Sequence, residues 1–567
     1  MHHVLTNLEV LHKIFSSLQD EKGKEFGEHT ITRRSTLARL ARTCRTFQEP
    51  ALDTLWEHLT SADPLLKLLP EKSISYRPWL LANEHRNKGA EAFLQGAGRV
   101  LVRADWDLFK TYARRVRILG PFKSYTGVFF YNLELAPHDM LPLLPNLKIL
   151  DWRGFNDHSI PLQYLGLFLS PTLKRLRIEL STSTKHEELY ALSIAPVSCP
   201  KIRDLGFSGY EFIRDFGASR STYYSSQILC QWSNLSNAVF DSVTDDALVH
   251  LAQMQTLVSL KVDLDKIDSL DGVRSRVTGT AFPSLTSCSL RCVDVYLSIE
   301  FVTIMQLSPV ELTLNSPVLD ESSPIEELFT TLSTHPSRRE LEKVNIHWTK
   351  VQFNLPELKA PRDPPEECLT IMRLRPLFSF RQLRVLSINM PLEITLDDLD
   401  IIELAHAFPA LEELSLNGGD NLTVDPLGPW YVQALDDFSR QRFCAGWLVK
   451  PRVTFRGLYA LVESCPRLRG LGISFDAEQA ADEVPNEVPS PNRDIQYLPV
   501  GNSACGDPEG VASRLRSIFP NVSRIMTRWS PWQRQLDNSR KQQKATSDRW
   551  EEVGRLLKEP REAGKAP

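Results

Sequence analysis

The chain has 567 residues, 42% of them hydrophobic and 24% charged, with a formal charge of −4 and a pI near 6.4. That balance is ordinary for a folded domain and gives no general electrostatic drive toward nucleic acid or an anionic membrane. No run of about 20 apolar residues is present to cross a bilayer, and MHHVLTNLEV lacks the basic and apolar regions of a signal peptide.

A chain this long exceeds one simple core, which implies several domains or a repeat architecture. Nine cysteines include no Cys-x-x-Cys pair, and Cys288 and Cys292 stand without a nearby histidine. An odd count spread this widely argues against a disulfide framework or a zinc site. It fits small buried thiols in a reducing compartment, cytosol or nucleus.

Three amphipathic helices are expected in residues 1–60. Thr6 with Glu9 three residues on fits a capping box. Leu8, Leu11, Phe15 and Leu18 then recur at helical spacing, with Val10 and Ile14 widening the apolar face. After a charged loop, a second helix carries Leu37, Leu40, Ala41, Cys44 and Phe47 on one face and Arg39, Arg42 and Arg45 on the other. The third starts at Pro50, a residue suited to a first helical turn, and shows Leu52, Leu55, Trp56 and Leu59. A unit of roughly 55 residues buries only about 60% of its unfolded surface, and these faces are wider than its own core needs. The surplus belongs at an interface, or against the rest of the chain as an N-terminal cap.

The run Leu5-Thr6-x-x-Glu9-Val10-Leu11-x-x-Ile14-Phe15-x-x-Leu18, followed by Leu37-Ala38-x-Leu40-Ala41-x-Thr43-Cys44-Arg45-x-Phe47 and Ala51-Leu52-x-x-Leu55-Trp56, resembles the F-box. It is most similar to the variant common in fungal F-box proteins, and Thr-Cys-Arg followed by Leu-Trp is its most specific part. The family usually has proline just before the glutamate of helix one, where this chain has Leu8. The resemblance implies docking on the Skp-type adaptor of an SCF (Skp–cullin–F-box) ubiquitin ligase. Leu5, Leu8, Val10, Ile14, Cys44, Leu55 and Trp56 are the expected adaptor contacts.

Residues 61–112 read as an irregular helical bridge. From 113 to 530 the template L-x-x-L-x-L, often preceded by proline, returns in LPNLKILDW (144–152), SPTLKRLRI (170–178), CPKIRDLGF (199–207), FPSLTSCSL (282–290), FRQLRVLSI (380–388), FPALEELSL (408–416) and CPRLRGLGI (465–473). Weaker copies start at 232, 254, 338 and 519, and Leu312-x-Leu314 fits a degenerate copy inside a doubled gap. One strand and one helix-like return per copy resemble irregular leucine-rich repeats. The expected fold is therefore α/β, a three-helix head followed by a horseshoe solenoid of about 11–13 repeats. Inserted loops are expected near 352–376, 417–452 and 477–508, and a charged tail over 531–567, with a short helix near 550–557 lacking an evident packing partner.

No phosphate loop, dinucleotide fingerprint, H-E-x-x-H or G-x-S-x-G occurs. Gly206-Phe-Ser208-Gly209 reads as a turn, the Asp263 to Asp268 cluster as a solvated loop, and His2, His3 and His12 as surface residues. No catalytic residue, metal or cofactor is expected, and no nucleic-acid or membrane partner. Strand alternation puts the residues between the leucines outward, among them Arg153, Arg175, Arg177, Lys261, Lys343 and His347, the candidate contacts to a target protein. Arg153, Arg175 and Arg177 form a basic start suited to a phosphate or an acidic peptide, unless Asp151 and Glu179 balance them. The function expected is substrate recognition for an SCF ligase. The alternatives are a repeat scaffold without a ligase role, or a phosphate or small-molecule receptor or hydrolase.

Overall fold

The computed structural model describes residues 7–18, 28–70, 101–122, 133–153, 161–180, 186–209, 218–264, 267, 269–292, 295–318, 325–334, 341–350, 368–389, 393–416, 451–478, 490–501, 503–527 and 539–559. The chain divides into two compact units, Met1–Leu257 and Val258–Pro567.

The first unit opens with helices α1 (Leu8–Ser17), α2 (Glu28–Leu40) and α3 (Arg45–Glu57). Asn7 caps α1: its side-chain oxygen accepts from the amides of Glu9 at 2.9 Å and Val10 at 3.4 Å. This replaces the cap expected from Thr6, because the oxygen at position 7 reaches the free amides of the second and third helical residues. Thr6 itself lies outside the described residues. The second helix ends earlier than its apolar pattern implies. A turn over 41–43 intervenes, Cys44 is the extended N-cap of α3, and Phe47 belongs to α3. Pro50 accordingly sits inside α3 and not at its start. Having no N–H, it leaves the carbonyl four residues back without that bond.

Leu11, Phe15, Leu37 and Ala51 form the buried core of the three helices, with Leu18, Leu40, Ala41, Phe47 and Leu55 packed around it. Phe15 and Phe47 meet edge to face, centroids 5.7 Å apart.

From α3 the chain passes straight into β1 (His58–Leu59), which pairs in parallel with β2 (Ile118–Leu119). The junction is closed by backbone bonds from Arg117 N to Glu57 O, 2.9 Å, and from Gly120 N to Leu59 O, 2.8 Å. Gly120 has φ +92°, and a β-carbon there would fall 2.0 Å from the Asp151 carbonyl oxygen, so only glycine fits. Just before β2, helix α4 (Trp106–Ala113) buries Trp106, Phe109 and Ala113. The expected bridge also holds a four-residue helix, Asp63–Leu66.

The sheet of this unit continues with β3 (Ile149–Trp152), β4 (Arg175–Leu180), β5 (Asp204–Gly209) and β6 (Asn237–Phe240), each parallel to its predecessor. The register aligns Leu150, Leu176, Leu205 and Ala238 in one buried column and Trp152, Ile178, Phe207 and Phe240 in the next. Each copy thus covers the leucines of its neighbours, the logic of a stacked repeat. Helices α5 (His186–Ser193), α6 (Ala218–Leu229) and α7 (Asp245–Gln253) make the returns. Side chains satisfy turn carbonyls from copy to copy: Thr172 Oγ1 to Leu147 O at 2.8 Å, Trp232 Nε1 to Cys199 O at 3.2 Å, and Thr256 Oγ1 to Leu235 O at 2.7 Å.

In the second unit the parallel order is β7 (Ser259–Asp263), β8 (Ser287–Arg291), β9 (Glu311–Val318), β10 (Lys343–Lys350), β12 (Val385–Asn389), β14 (Glu413–Leu416) and β15 (Gly470–Ile473). Here Leu260, Cys288, Leu312, Val344, Leu386, Leu414 and Leu471 form the buried column. Strand β9 is the degenerate copy. Small pairs lie beside this array: β11 (Cys368–Leu369) with β13 (Glu393–Ile394), β16 (Asp476–Ala477) with β18 (Ala504–Cys505), and β17 (Tyr497–Gly501) with β19 (Arg524–Thr527). The returns include α8 (Leu270–Arg276), α9 (Val295–Ile304), α10 (Ile325–Thr334), α11 (Asp398–Ala407), α12 (Phe455–Ser464) and α13 (Pro508–Ile518).

Two expectations change here. The loop placed at 477–508 contains β17 and β18, with Ile495, Leu498 and Val500 buried as one more copy. The described part of the tail holds helix α14 (Ser539–Lys558), and this helix does have a packing partner. Trp550, Val553 and Leu557 are buried, Trp550 meets Phe475 at 5.8 Å, and its Nε1 donates to Ser503 O at 2.9 Å. Arg549 Nη1 donates to Cys505 O at 2.7 Å, and Arg516 donates to the Leu556 and Glu559 carbonyls at the helix end. An open repeat end needs such a cover. Of the other expected loops, 352–376 is described only from 368, and nearly all of 417–452 lies outside the described residues. Among the described residues no helix is long and apolar enough to cross a membrane.

Candidate functional site: the head flank and the sheet faces

On α1, at about 100° per residue, Leu11, Phe15 and Leu18 share one stripe, with Leu8 and Ile14 at its two edges. The two edge residues stay open, 57% and 41% exposed. Val10, Cys44, Leu55 and Trp56 are half-buried. Leu55 packs on the head core, whereas Trp56 packs on Tyr112 of α4 in a tilted contact with centroids 4.7 Å apart. Leu5 lies outside the described residues. Of the six expected adaptor contacts among the described residues, Leu8 and Ile14 are the most open to a partner, and Trp56 is engaged by this chain's own body.

Helix α3 has two working faces. Phe47, Ala51 and Leu55 turn to the head core. Glu49, Asp53 and Trp56, on the opposite side, turn to the segment that leads into β2. Arg115 is only 6% exposed there; its Nη2 donates to Glu49 Oε2 at 2.7 Å and its Nη1 to Asp53 Oδ1. Its guanidinium also lies 5.9 Å from the Tyr112 ring centre. Burial pulls the Arg115 pKa down, and the bonds and charges of Glu49 and Asp53 more than offset it, so the group ends above its ordinary value. The i, i+4, i+7 spacing of Glu49, Asp53 and Trp56 was legible as a second face; nothing in the sequence marked Arg115 as its partner.

On the sheet face of the first unit, Arg153, Arg175 and Arg177 lie together as expected, and each already has a carboxylate partner, with the three arginines sharing Asp151 and Asp204. Arg153 forms a two-pronged pair with Asp151 at 2.6 and 2.7 Å. Arg175 Nε donates to Asp204 Oδ2 at 2.6 Å, and Arg177 Nη2 donates to the other oxygen of the same carboxylate. The basic start is therefore a paired cluster, in which Asp204 serves as a balancing acid alongside Asp151. Arg177 is held below its ordinary pKa, first by burial and then by the charges of Arg175 and Arg153 acting against Asp204.

In the second unit the candidates are dispersed. Lys343 and His347 share β10, and Lys343 pairs with Glu311 one strand away. Lys261 is on β7, three strands off in the sheet order. The row through Lys261 continues as Ser289, Thr313, Asn345, Ser387, Ser415 and Gly472, all short and uncharged. Arg291 pairs with Asp263 at 3.5 Å, and Arg384 bridges Glu412 and Glu342 at 2.8 and 3.4 Å.

Burial pushes the thiols of Cys199, Cys288 and Cys505 up to about 12 and that of Cys465 to about 11, out of the nucleophilic range at neutral pH. Among the described residues no His, Cys, Asp or Glu cluster is grouped as a metal site.

A helical head running without a linker into stacked parallel strands defines the class: a leucine-rich-repeat α/β protein with an N-terminal three-helix domain. The family model described as F-box-like matches residues 8–62, so the chain carries an F-box-like domain there. That segment spans α1, α2, α3 and β1, which means its last part is also the first strand of the sheet. No curated protein matches the chain. Among solved structures, the crystal structure of the Rad7 and Elc1 complex in yeast is similar at 18% identity and a TM-score of 0.35, covering 70% of this chain and 81% of that one.

Proposed function

We propose that the chain is the substrate-recognition subunit of an SCF-type ubiquitin ligase, its head docking a Skp-type adaptor and its repeats holding a target protein. The observation that carries this reading is the F-box-like match over 8–62 on helices that leave Leu8 and Ile14 open. Such a subunit carries out no bond-making of its own and needs no cofactor. It raises the effective concentration of the target near the transferring subunits, so that a bimolecular encounter becomes quasi-intramolecular. The reading places it in cytosol or nucleus, where thiols stay reduced.

Co-purification of a Skp-type adaptor with the full chain, lost in Leu8→Asp/Ile14→Asp, supports the reading; wild type that captures no adaptor removes it. A second reading, a repeat scaffold whose head serves as a cap, is favoured by β1 pairing into the sheet and by the α3 contacts to Arg115 and Tyr112. It predicts a folded body whose partners are unaffected by changes at Leu8 and Ile14.

A further inference from the structure

We infer that Arg115 is a positioning residue: it clamps α3 to the first repeat, so that the open flank of α1 keeps one bearing relative to the sheet face of its unit. This rests on the adaptor-docking reading for its purpose, though not for its geometry.

Three observations converge on α3. Two of its carboxylates, Glu49 and Asp53, one turn apart, both accept from one guanidinium that is 6% exposed. One turn further, Trp56 packs at a tilt on Tyr112, whose ring also lies under Arg115. The helix then continues into β1, tied by Arg117 N and Gly120 N to carbonyls of Glu57 and Leu59. A lysine ammonium at 115 could reach both carboxylates only from one nitrogen, whereas the planar guanidinium offers a separate nitrogen to each, Nη2 to Glu49 and Nη1 to Asp53. The Arg115 Nε is buried and finds no hydrogen-bond partner among the described residues. That is a cost a solvated surface arginine would not bear, and it indicates that the arrangement is held from both sides. A two-residue β1–β2 pair is too short to fix a direction alone; the side-chain clamp supplies the second point of attachment. Held at two points, the head presents the adaptor, and everything the adaptor carries, at a set distance from whatever the strands hold.

The test uses the full chain with nitroxide amino acids at Ser17 in the head and Lys174 beside β4, both exposed, so that the native cysteines stay untouched. Pulsed EPR of the wild type should give one narrow distance distribution, Arg115→Met a broad one, and Arg115→Lys an intermediate one, with adaptor capture and body circular dichroism unchanged in all three. Amide exchange of Arg117 and Gly120 should accelerate about a hundredfold in Arg115→Met while the amides of α1 keep their protection. Asp53→Asn/Glu49→Gln, which leaves the arginine in place, should reproduce the broadening. A distribution in Arg115→Met as narrow as wild type, with unchanged exchange, overturns the clamp. Failure of wild type to capture adaptor would strike the ligase reading and leave these distance measurements standing.

Discussion

Arg177 fills the space that a side chain at Gly206, directly across on β5, would need: a β-carbon there would lie 2.4 Å from its Nη1 and 2.8 Å from its Cδ. The glycine lets the guanidinium cross the strand and reach Asp204, 9% exposed, which it shares with Arg175. Removing Asp204 strands two arginines, one of them largely buried. Asp204→Ala should therefore cost about 3 kcal/mol, and Gly206→Ala about 1–2 kcal/mol by displacing Arg177. Urea unfolding followed by circular dichroism reads both. Asp204→Ala should also acquire a weak affinity for inorganic phosphate that wild type lacks.

Asp398 joins two repeats through a helix start. Its Oδ1 accepts from Thr454 N at 2.7 Å and Gly457 N at 3.0 Å, and its Oδ2 accepts from Thr454 Oγ1 at 2.7 Å. Asp398→Ala leaves those donors without a carboxylate and should cost about 2 kcal/mol. Asp398→Asn, which keeps an acceptor oxygen, should cost less. Thermal unfolding ranks the two.

Trp550 closes the far end of the second unit against Phe475 and the Ser503 carbonyl. Trp550→Ala should cost about 3–5 kcal/mol. Because it uncovers the apolar end of a repeat array, the variant should also self-associate. Light scattering at rising protein concentration checks the second effect separately from the first.

Glu413 is raised above its ordinary 4.5, first by burial and next by the neighbouring Glu412 charge, with Lys343 opposing. A carboxyl raised in the folded state favours its protonated form there. Its contribution is fully present below pH 4.5 and is lost as pH rises through the folded value. Glu413→Gln should therefore be more stable than wild type at neutral pH and indistinguishable from it in acid. Denaturation midpoints across that interval test the sign.

Periodicity revealed most of the repeat strands because every L-x-x-L-x-L leucine enters the column of its neighbours. It also exposed β9, as a half-step in a doubled gap. It missed β17, where Pro499 interrupts Tyr497-Leu498-Pro-Val500, although Ile495 stands midway between Leu468 and Val522. β1 and β2 were missed because two-residue strands carry no alternation to count. The end of α2 was misjudged because Cys44 and Phe47 continue its apolar spacing across a turn. The basic cluster was legible in composition, but its pairing was not: Asp204 lies 27 residues beyond Arg177 in sequence and one strand away in space. Arg115 shows the same limit, since its partners stand 66 and 62 residues earlier.

The central claim is that the flank of α1 marked by Leu8 and Ile14 is a docking surface. Calorimetric titration of the full chain with a purified Skp-type adaptor tests it most directly. Wild type should bind one adaptor with a Kd of about 1 μM or tighter, and Leu8→Asp/Ile14→Asp should weaken binding about a hundredfold with thermal unfolding unchanged, since neither residue belongs to the buried core. No binding by wild type, or equal binding by the double variant, would contradict the account.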